Sequence, residues 1–499
     1  MELTFHKTTC ACLRKAVCQV QNQEQTQEVR LPDAMPDIGR VLGSWGQVLI
    51  RGKEWRSNGM SVSGGVMAWV LYAPEDGTEP RSIETWIPFQ IKWDLPETQR
   101  DGTICVTPLL KTVDARSTSA RKMMVRANVS VLGEAIEPIE PEVLLPDQVP
   151  EDVQLLKQTY PVELPRESGE KIYQMDEELT LPSTYPQISR ILRSELNPQL
   201  LEQKVMAGRL VFRGKAVLYV LYSDPEGTIH SWETEIPFSQ YTDLDQDYGP
   251  NATAWVMPLL TSFELDPDEQ NRLQLKAGMT AQYVIYDRQM IDIVEDAYSP
   301  IRQVNLKTQE LKLPMRLDTR QEILKTENSY NAEGQKLLDV CWLPEHVSQQ
   351  QNGDSTLFTV PGQFQVLYHD ASGSLQCGSI RAEQTCLMPS DERNVMDAYV
   401  RFESRPQAVL GAQDIACSGS VMLETVAFAE QGLHMVTELE LGERKEPDPG
   451  RPSLILCRAG ERRLWDIAKE CGSTVSAICA ANQLQQEPES DRMLLIPVS

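Results

Sequence analysis

The chain contains 499 residues, and its 72 Asp and Glu residues outnumber its 47 Lys and Arg residues, giving a formal net charge of −25 at pH 7. Phosphate backbones and anionic lipid repel such a chain, so we expect no nucleic-acid binding and no membrane binding through bulk charge. Hydrophobic residues make up 41% of the sequence, which is enough to form folded cores. A chain of this length predicts roughly three to four domains.

The compartment is predicted from three features. No stretch approaches the roughly 20 apolar residues of a membrane span, so no membrane insertion is expected. The first residues, Met-Glu-Leu-Thr-Phe-His-Lys, have no apolar core of the signal-peptide type. The 11 cysteines are scattered among apolar neighbours, as free thiols of small core residues would be. We therefore expect a cytoplasmic protein.

Internal similarity is the strongest signal in the sequence. The tripeptide Val-Leu-Tyr occurs at residues 70–72, 220–222 and 366–368. A glycine follows each tyrosine five residues later, at Gly77, Gly227 and Gly373. The tyrosines are 150 and 146 residues apart. This spacing predicts tandem copies of one module, and the third copy is degenerate because it keeps only this element.

The first two copies share further elements in the same order. These are Pro-x-Ile-x-Arg at residues 36–40 and 186–190, a glycine at Gly64 and Gly214, Ile-Pro-Phe at residues 87–89 and 236–238, and Pro-Leu-Leu at residues 108–110 and 258–260. One such match could be chance, but several matches in one register indicate repeats.

The recurring element has the composition of a β-hairpin. Residues 66–72 and 216–222 are rich in β-branched and aromatic residues. The Pro, Asp, Glu and Gly residues that follow are typical of a turn, and helical patterns are few. The predicted fold class is mainly β, with three tandem antiparallel β-sandwich-like repeats. Their predicted boundaries are residues 1–145, 146–300 and 301–445.

The end of the chain changes character after a proline-rich linker at residues 446–452. Residues 453–499 predict a small strand–helix–helix–strand (βααβ) module. Residues with helical spacing mark one face of its first helix: Leu464, Ile467 and Ala468. Gly472 is placed to end that helix, and Ser473 and Thr474 are both placed to cap the second.

This module resembles the LysM family. The resemblance lies in residues 464–469, 474–475, 481–484 and 494–497. It implies a shallow groove that binds N-acetylglucosamine polymers such as peptidoglycan, between the loop before the first helix and the loop after the second. The residues that the resemblance places at this candidate site are Gly460, Glu461, Arg462, Arg463, Trp465, Asn482, Gln483, Leu484, Asp491 and Arg492. In the family the tryptophan is usually structural.

The first of these loops departs from the family pattern. The family usually has Gly-Asp-Thr or Gly-Asp-Ser directly before Leu-Trp, whereas this chain has Gly-Glu-Arg-Arg at residues 460–463. The glycine expected before the last strand is replaced by Asp491 and Arg492. The first helix then loses a cap worth about 1 kcal/mol. Arg462 and Arg463 suit a protein partner with carboxylates at least as well as a sugar.

Tandem β-modules with Pro-x-Ile-x-Arg upstream of Val-Leu-Tyr resemble SPOCS domains. SPOCS domains followed by LysM resemble the spore-coat morphogenetic proteins of clostridia and related endospore formers, and the resemblance covers residues 25–499. It implies a non-enzymatic assembly protein that works in the mother cell, on the forespore surface. It also implies that the LysM-containing end contacts the coat ATPase, stage IV sporulation protein A. The family supplies no catalytic residue to transfer.

Other site patterns in the sequence are incomplete. The histidine and cysteines within residues 6–18 lack the spacing of a metal site. The glycines and lysines within residues 46–53 and 208–215 miss the phosphate-loop pattern. We therefore expect no metal, no cofactor and no catalytic site.

Several tryptophans lie in the first repeat. Trp69 falls within a predicted strand, which favours core packing. Trp45 and Trp55 flank glycines in a loop-like stretch, and they are the better candidates for an interface with another molecule.

These observations leave two functions open. The first is coat assembly, in which the repeats supply surface for self-association or coat partners and the LysM-like end docks to one protein. The alternative is peptidoglycan binding at the cell wall or spore cortex, which needs an export route. A hydrolase is disfavoured because a catalytic domain beside a targeting module is rarely triplicated.

Overall fold

The computed structural model describes residues 2–56, 58–95, 102–268, 272–391, 394–429, 432–445, 450 and 452–498. Strands predominate among these residues, and the helices lie near the C-terminus. The prediction of a mainly β protein is therefore confirmed. None of the helices in the described ranges is long and apolar enough to cross a membrane.

The first lobe, β2 to β7, consists of two three-stranded antiparallel sheets. The strands of this part of the chain are β1 (Phe5–Thr9), β2 (Cys12–Arg30), β3 (Ile38–Arg56), β4 (Gly59–Pro74), β5 (Arg81–Asp94), β6 (Thr103–Ser119), β7 (Lys122–Ile139) and β8 (Glu142–Pro146). One sheet has the order β2-β7-β6 and the other the order β3-β4-β5. Residues of both sheets, such as Val66 and Val129, share one core.

The second lobe, β9 to β14, has the same strand order. Its strands are β9 (Gln154–Thr180), β10 (Arg190–Met206), β11 (Arg209–Ser223), β12 (Ile229–Asp243), β13 (Thr253–Pro267) and β14 (Arg272–Tyr298). The sheets are β9-β14-β13 and β10-β11-β12. Each strand therefore has a counterpart in the first lobe.

The third lobe, β16 to β22, follows the same order with one addition. The strands of this part are β15 (Arg302–Leu311), β16 (Arg316–Asn331), β17 (Gly334–Pro344), β18 (Ser348–Asn352), β19 (Ser355–Asp370), β20 (Leu375–Pro389), β21 (Asn394–Leu410), β22 (Asp414–Ala429) and β23 (Leu433–Arg444). The sheets are β16-β22-β21 and β17-β19-β20, and the short β18 also pairs with β19.

The predicted hairpin is present in every lobe. The Val-Leu-Tyr tripeptides lie in β4, β11 and β19, which pair with β5, β12 and β20. The glycines between these strands, Gly77, Gly227 and Gly373, have φ values of 72°, 82° and 80°. This left-handed conformation favours glycine, which explains the recurring residue at the turn.

Each lobe contacts both of the others, so the three lobes close a ring. Strand β3 packs on β13, β10 packs on β21, and β17 packs on β6, so equivalent strands make each contact. The arginines of Pro-x-Ile-x-Arg contribute to this closure. Arg190 donates to Glu79 of the first lobe at 3.1 Å, and Arg40 donates to the carbonyl of Leu375 in the third lobe at 2.9 Å.

Where the lobes meet, residues from all three form one buried apolar cluster, which we call the junction. Its members are Leu42, Trp45, Leu71, Leu192, Tyr219, Leu221, Ile229, Cys341, Leu367 and Leu375. A cavity of about 610 Å³ is also lined by all three lobes. The Pro-Leu-Leu segments at residues 108–110 and 258–260 line this cavity, so this recurring element faces the interior of the ring.

A stalk of paired strands joins the lobes. Strand β1 pairs with β8, β15 pairs with β23, and the outer ends of β9 and β14 pair with each other. Apolar residues from these pairs pack together, including Val143, Ile293 and Met435. The chain therefore enters and leaves each lobe through the stalk.

The C-terminal module lies against the stalk. It comprises β24 (Leu454–Arg458), α1 (Leu464–Cys471), α2 (Val475–Asn482) and β25 (Met493–Pro497). This is the predicted order of elements, and β24 pairs with β25. Of the predicted linker, residues 446–449 and 451 lie outside the described residues.

Candidate functional site

A small core holds the C-terminal module together. Its buried residues include Ala459, Leu464, Ile467, Ala468, Ile478, Leu494 and Ile496. Helix α1 ends at Gly472, which has a φ of 62°. The hydroxyl of Thr474 accepts a hydrogen bond from the N–H of Ala477 at 3.1 Å and so caps α2. Gly472 ends α1 as predicted, and of the two predicted caps, Ser473 and Thr474, it is Thr474 that caps α2.

The first turn of α1 is capped from the opposite loop. Arg463 occupies the capping position, and its side chain makes no capping hydrogen bond. Instead, a carboxylate oxygen of Glu487 accepts a hydrogen bond from the N–H of Leu464 at 3.0 Å. A carboxylate at a helix N-terminus is also favoured by the helix dipole. The cap that the sequence lacks before α1 is therefore replaced by a residue of the second loop.

Direct hydrogen bonds join the two loops between which the LysM resemblance implies a groove. The N–H of Gly460 donates to the carbonyl of Ser490 at 2.9 Å, and the N–H of Ala459 donates to the carbonyl of Arg492 at 2.9 Å. With the Glu487 cap, these bonds occupy backbone donors that are then not free to bind a sugar.

The arginines of the first loop are exposed but paired within the module. Arg462 Nη1 lies 2.7 Å from a carboxylate oxygen of Glu470, and Arg463 Nε lies 3.1 Å from one of Asp466. Asp491 pairs with an arginine of β24. Exposed pairs of this kind contribute only about 0–1 kcal/mol each. A partner's carboxylates could therefore replace them at little cost.

The residues after α2 have structural roles. The side-chain amide of Asn482 donates to the carbonyl of Leu495 at 2.6 Å and accepts from its N–H at 2.8 Å. Arg492 donates to the carbonyl of Asn482 at 3.0 Å. Gln483 ends the helix with a φ of 55°, and Leu484 packs on the module core. These contacts join α2 to the last strand.

Trp465 attaches the module to the stalk. Its indole Nε1 donates to a carboxylate oxygen of Asp296 at 2.8 Å, and Lys469 Nζ lies 2.7 Å from the same carboxylate. The rings of Trp465 and Tyr298 meet edge to face at 4.8 Å. The hydroxyl of Tyr298 donates to the carbonyl of Ser473 at 3.0 Å. Trp465 is therefore structural, and it orients the module relative to the lobes.

The module also exposes an apolar sheet face, whose residues are not among the predicted site residues. Leu454, Leu456, Met493 and Leu495 are 52%, 66%, 51% and 38% exposed. They project from one side of β24 and β25 because side chains alternate along a strand, and the opposite side packs on the core. We call these four residues the leucine face. Its sequence signal is an uninterrupted apolar run in each strand, since a two-stranded sheet over one small core can bury only one side.

Among the described residues no strand pairs with the outer edge of β24 beside this face, and at its end the carbonyl of Arg458 accepts from Arg462 Nη2 at 3.1 Å. Leu456 is opposite Leu495 in the sheet, and the backbone of Leu495 bonds to Asn482 rather than across to β24. The two residues thus form a non-hydrogen-bonded pair, and the N–H and C=O of Leu456 face away from β25. An exposed apolar edge strand is a template for pairing with another chain.

The structure corrects the assignment of Trp45 and Trp55 to a loop, because both lie in strand β3. Trp45 is only 3% exposed and lies in the junction, where the guanidinium of Arg193 is 5.2 Å from its ring centroid. It is therefore not available to another molecule while the ring is closed. Trp55 is half-buried against the first-lobe core. Trp69 is buried, as predicted.

Comparison with known families identifies one segment. Residues 187–264, which run from just before β10 into β13, match the family model described as SipL, SPOCS domain. No curated protein and no solved structure matches the chain. The matched segment contains the Val-Leu-Tyr tripeptide of the second lobe and its glycine turn, which supports the resemblance to SPOCS domains.

Proposed function

We propose that this chain is a non-enzymatic assembly protein of sporulation that tethers coat components at the forespore surface, with its LysM-like module as the docking site for a protein. The leucine face carries this proposal. It is a continuous apolar surface on a small module, and the contacts of Trp465 with Asp296 fix it in position at the stalk.

The chemistry of the leucine face favours a protein partner. Burying a leucine or methionine side chain contributes about 1.5–3 kcal/mol relative to leaving it exposed. Contiguous exposed apolar residues commonly mark interaction sites. The open edge of β24 could add main-chain hydrogen bonds to an extended partner segment. A sugar polymer, with its many hydroxyl groups, gains little from such a face.

The alternative function is binding of N-acetylglucosamine polymers such as peptidoglycan in the groove between the two loops. The hydrogen bonds of Gly460 and Glu487 across these loops disfavour it. For the protein partner we propose a coat ATPase similar to stage IV sporulation protein A, because the resemblance to SPOCS–LysM coat proteins implies it. The implied location is the mother-cell side of the forespore.

Binding by the full-length chain tests the proposal. The first variant combines Leu456→Asp and Leu495→Asp on the leucine face, and the second combines Arg462→Ala and Arg463→Ala on the first loop. Leu387→Asp is the matched control, because this leucine is 61% exposed in the third lobe. Affinity for the purified ATPase and retention on insoluble peptidoglycan are measured for each.

We expect the leucine-face variant to weaken ATPase binding at least tenfold, the arginine variant to weaken it less, and the control to leave it unchanged. None should be retained on peptidoglycan. Saturable retention on peptidoglycan, together with ATPase binding that is absent or insensitive to the leucine-face variant, would replace the proposal with the glycan-binding function.

A further inference from the structure

The same irregularity occurs at the start of three equivalent strands. In β3, β10 and β17 the pairing register shifts by one residue, between Val41 and Gly43, Ile191 and Arg193, and Leu337 and Asp339. Such a β-bulge bends the strand and re-aims the next side chain. The extra residues are all leucines, at Leu42, Leu192 and Leu338, and they pack in or against the junction.

The residues after the bulges are brought together at the junction. Gly43, Arg193 and Asp339 each lie opposite the leucine of a Val-Leu-Tyr tripeptide. Those leucines, Leu71, Leu221 and Leu367, are all junction residues. The leucine of each recurring tripeptide therefore lies where the lobes meet. The bulge directs the residue opposite that leucine, which differs from lobe to lobe, toward the junction.

These variable residues form an ion pair across the second and third lobes. Arg193 Nη1 lies 2.7 Å from a carboxylate oxygen of Asp339, and the two side chains are 1% and 3% exposed. Asp339 also accepts from the hydroxyl of Tyr219 at 2.6 Å and from Arg405 at 2.9 Å. Arg193 Nε donates to Glu195 at 2.8 Å. A buried charge needs such partners, and the ion pair supplies them across the two lobes while the ring is closed.

The first lobe contributes no charge at the equivalent position. A Cβ at Gly43 would lie 2.7 Å from the ring of Trp45, and Arg193 lies over that ring. The three positions thus hold no side chain, a cation and an anion. In a ring of three identical lobes, these three positions would carry the same residue, so an arginine there would find no opposite charge at the equivalent position of another lobe. The charges therefore specify which lobe follows which.

We propose that the pair of Arg193 and Asp339, the latch, keeps the ring closed within one chain, and that the lobe faces at the junction are exchange surfaces for a second copy of this chain. When the latch is broken, the contact between the second and third lobes is weakened, so opening of the ring exposes junction residues such as Leu192 and Leu367 more often. The exposed face of the second lobe matches the strands of a third lobe, and a second copy of this chain supplies an identical third lobe. Exchange of identical elements between copies then joins chains. This inference does not depend on what the C-terminal module binds.

The test uses the full chain and compares its mass in solution with and without the latch. Arg193→Asp places a carboxylate beside Glu195 and Asp339 and so breaks the latch by repulsion. The control is Arg14→Asp, which opposes Glu137 within the first lobe, where Arg14 Nε now lies 3.1 Å from that carboxylate. Circular dichroism checks folding, and light scattering after size exclusion gives the mass over a hundredfold range of concentration.

We expect the native chain and the Arg14→Asp control to be monomers at every concentration. Arg193→Asp should form dimers and larger species that capture a differently tagged copy. If Arg193→Asp does not fold, Arg193→Gln is measured in its place. A folded latch variant that stays monomeric and captures no second copy would overturn the proposal, as would a native chain that exchanges copies freely.

Discussion

The hydroxyl of Tyr72 donates to the carbonyl of Pro36 at 3.1 Å, and Tyr222 makes the same bond to Pro186 at the same distance. These bonds join the tyrosine of Val-Leu-Tyr to the proline of Pro-x-Ile-x-Arg in the first and second lobes. Two sequence elements more than 30 residues apart therefore recur together because they form one contact. Burial raises the pKa of both tyrosines, so the hydroxyls remain protonated donors.

Replacing either tyrosine by phenylalanine removes this hydrogen bond and leaves a carbonyl without its donor. We expect Tyr72→Phe and Tyr222→Phe each to lower the free energy of unfolding by about 0.5–1.5 kcal/mol. Denaturant unfolding measures the change. Tyr241→Phe is the control, because Tyr241 is 52% exposed and should tolerate the change. Equal losses in all three variants would contradict the role assigned to the recurring bond.

Asp339→Ala removes the carboxylate that pairs with both Arg193 and Arg405, and leaves Glu195 as the carboxylate beside the buried guanidinium of Arg193. Removing one member of a buried ion pair typically costs about 3–5 kcal/mol, because the remaining charge stays desolvated. The control is Arg209→Ala, which breaks an exposed pair with Asp243 and should cost about 0–1 kcal/mol. Both are read from denaturant unfolding. A loss for Asp339→Ala no larger than that of the control would show that the pair is solvated.

Glycine recurs at Gly64 and Gly214 because an aromatic ring and the backbone of the neighbouring strand leave no space for a side chain. A Cβ at Gly214 would lie 2.2 Å from the carbonyl oxygen of Gln199 and 2.5 Å from the ring of Phe238. Overpacking of this kind costs about 1–3 kcal/mol, which we expect for Gly214→Ala in thermal or denaturant unfolding. Gly249→Ala, whose Cβ would meet only Asp287 at 3.8 Å, should be nearly neutral. Similar effects at both sites would contradict this packing.

His346 makes stability depend on pH. Its ring lies 3.3 Å from the carbonyl of Ser130 in the first lobe, and burial lowers its pKa from 6.5 to about 4. Between these pH values His346 binds a proton in the unfolded chain but not in the folded chain. The stability that this difference contributes is therefore fully present above pH 6.5. It is lost as the pH falls towards 4, at up to about 1.4 kcal/mol per pH unit.

Unfolding measured from pH 7 to pH 5 checks this expectation. His346→Gln should flatten the decline in stability over that interval. His434→Gln, at an exposed position, should leave the decline unchanged. An unaltered slope in the His346 variant would mean that its imidazole is protonated in the folded state.

The sequence predicts the local elements well because their signals are local. The strand pattern, the glycine turns and the caps at Gly472 and Thr474 depend on residues close together in the chain, and the structure has them where predicted. The closed ring could not be predicted in the same way. It depends on contacts such as that between Arg193 and Asp339, which are 146 residues apart, and nothing in the sequence pairs one with the other.

In the candidate site, too, local features could be predicted from the sequence and contacts between distant residues could not. Trp465 is predicted to be structural, but its acceptor, Asp296, lies in the stalk at the outer end of β14 and cannot be identified from the module alone. Gly46 and Gly59, near Trp45 and Trp55, predict a loop, yet both glycines lie in strands. A Cβ at Gly46 would lie 2.7 Å from Val66, so this glycine allows close packing. The apolar runs of β24 and β25 predict buried strands, so the sequence does not distinguish the exposed leucine face from the core.

Hydrogen–deuterium exchange of the full chain, with and without the purified coat ATPase, tests the proposed docking most directly. Binding through the leucine face predicts slower exchange at residues 454–458 and 493–497, with the lobes unchanged. Leu387→Asp should show the same protection, and the Leu456→Asp, Leu495→Asp variant should show none. Protection confined to the loops at residues 460–463 and 484–492, or to the lobes, would contradict the account.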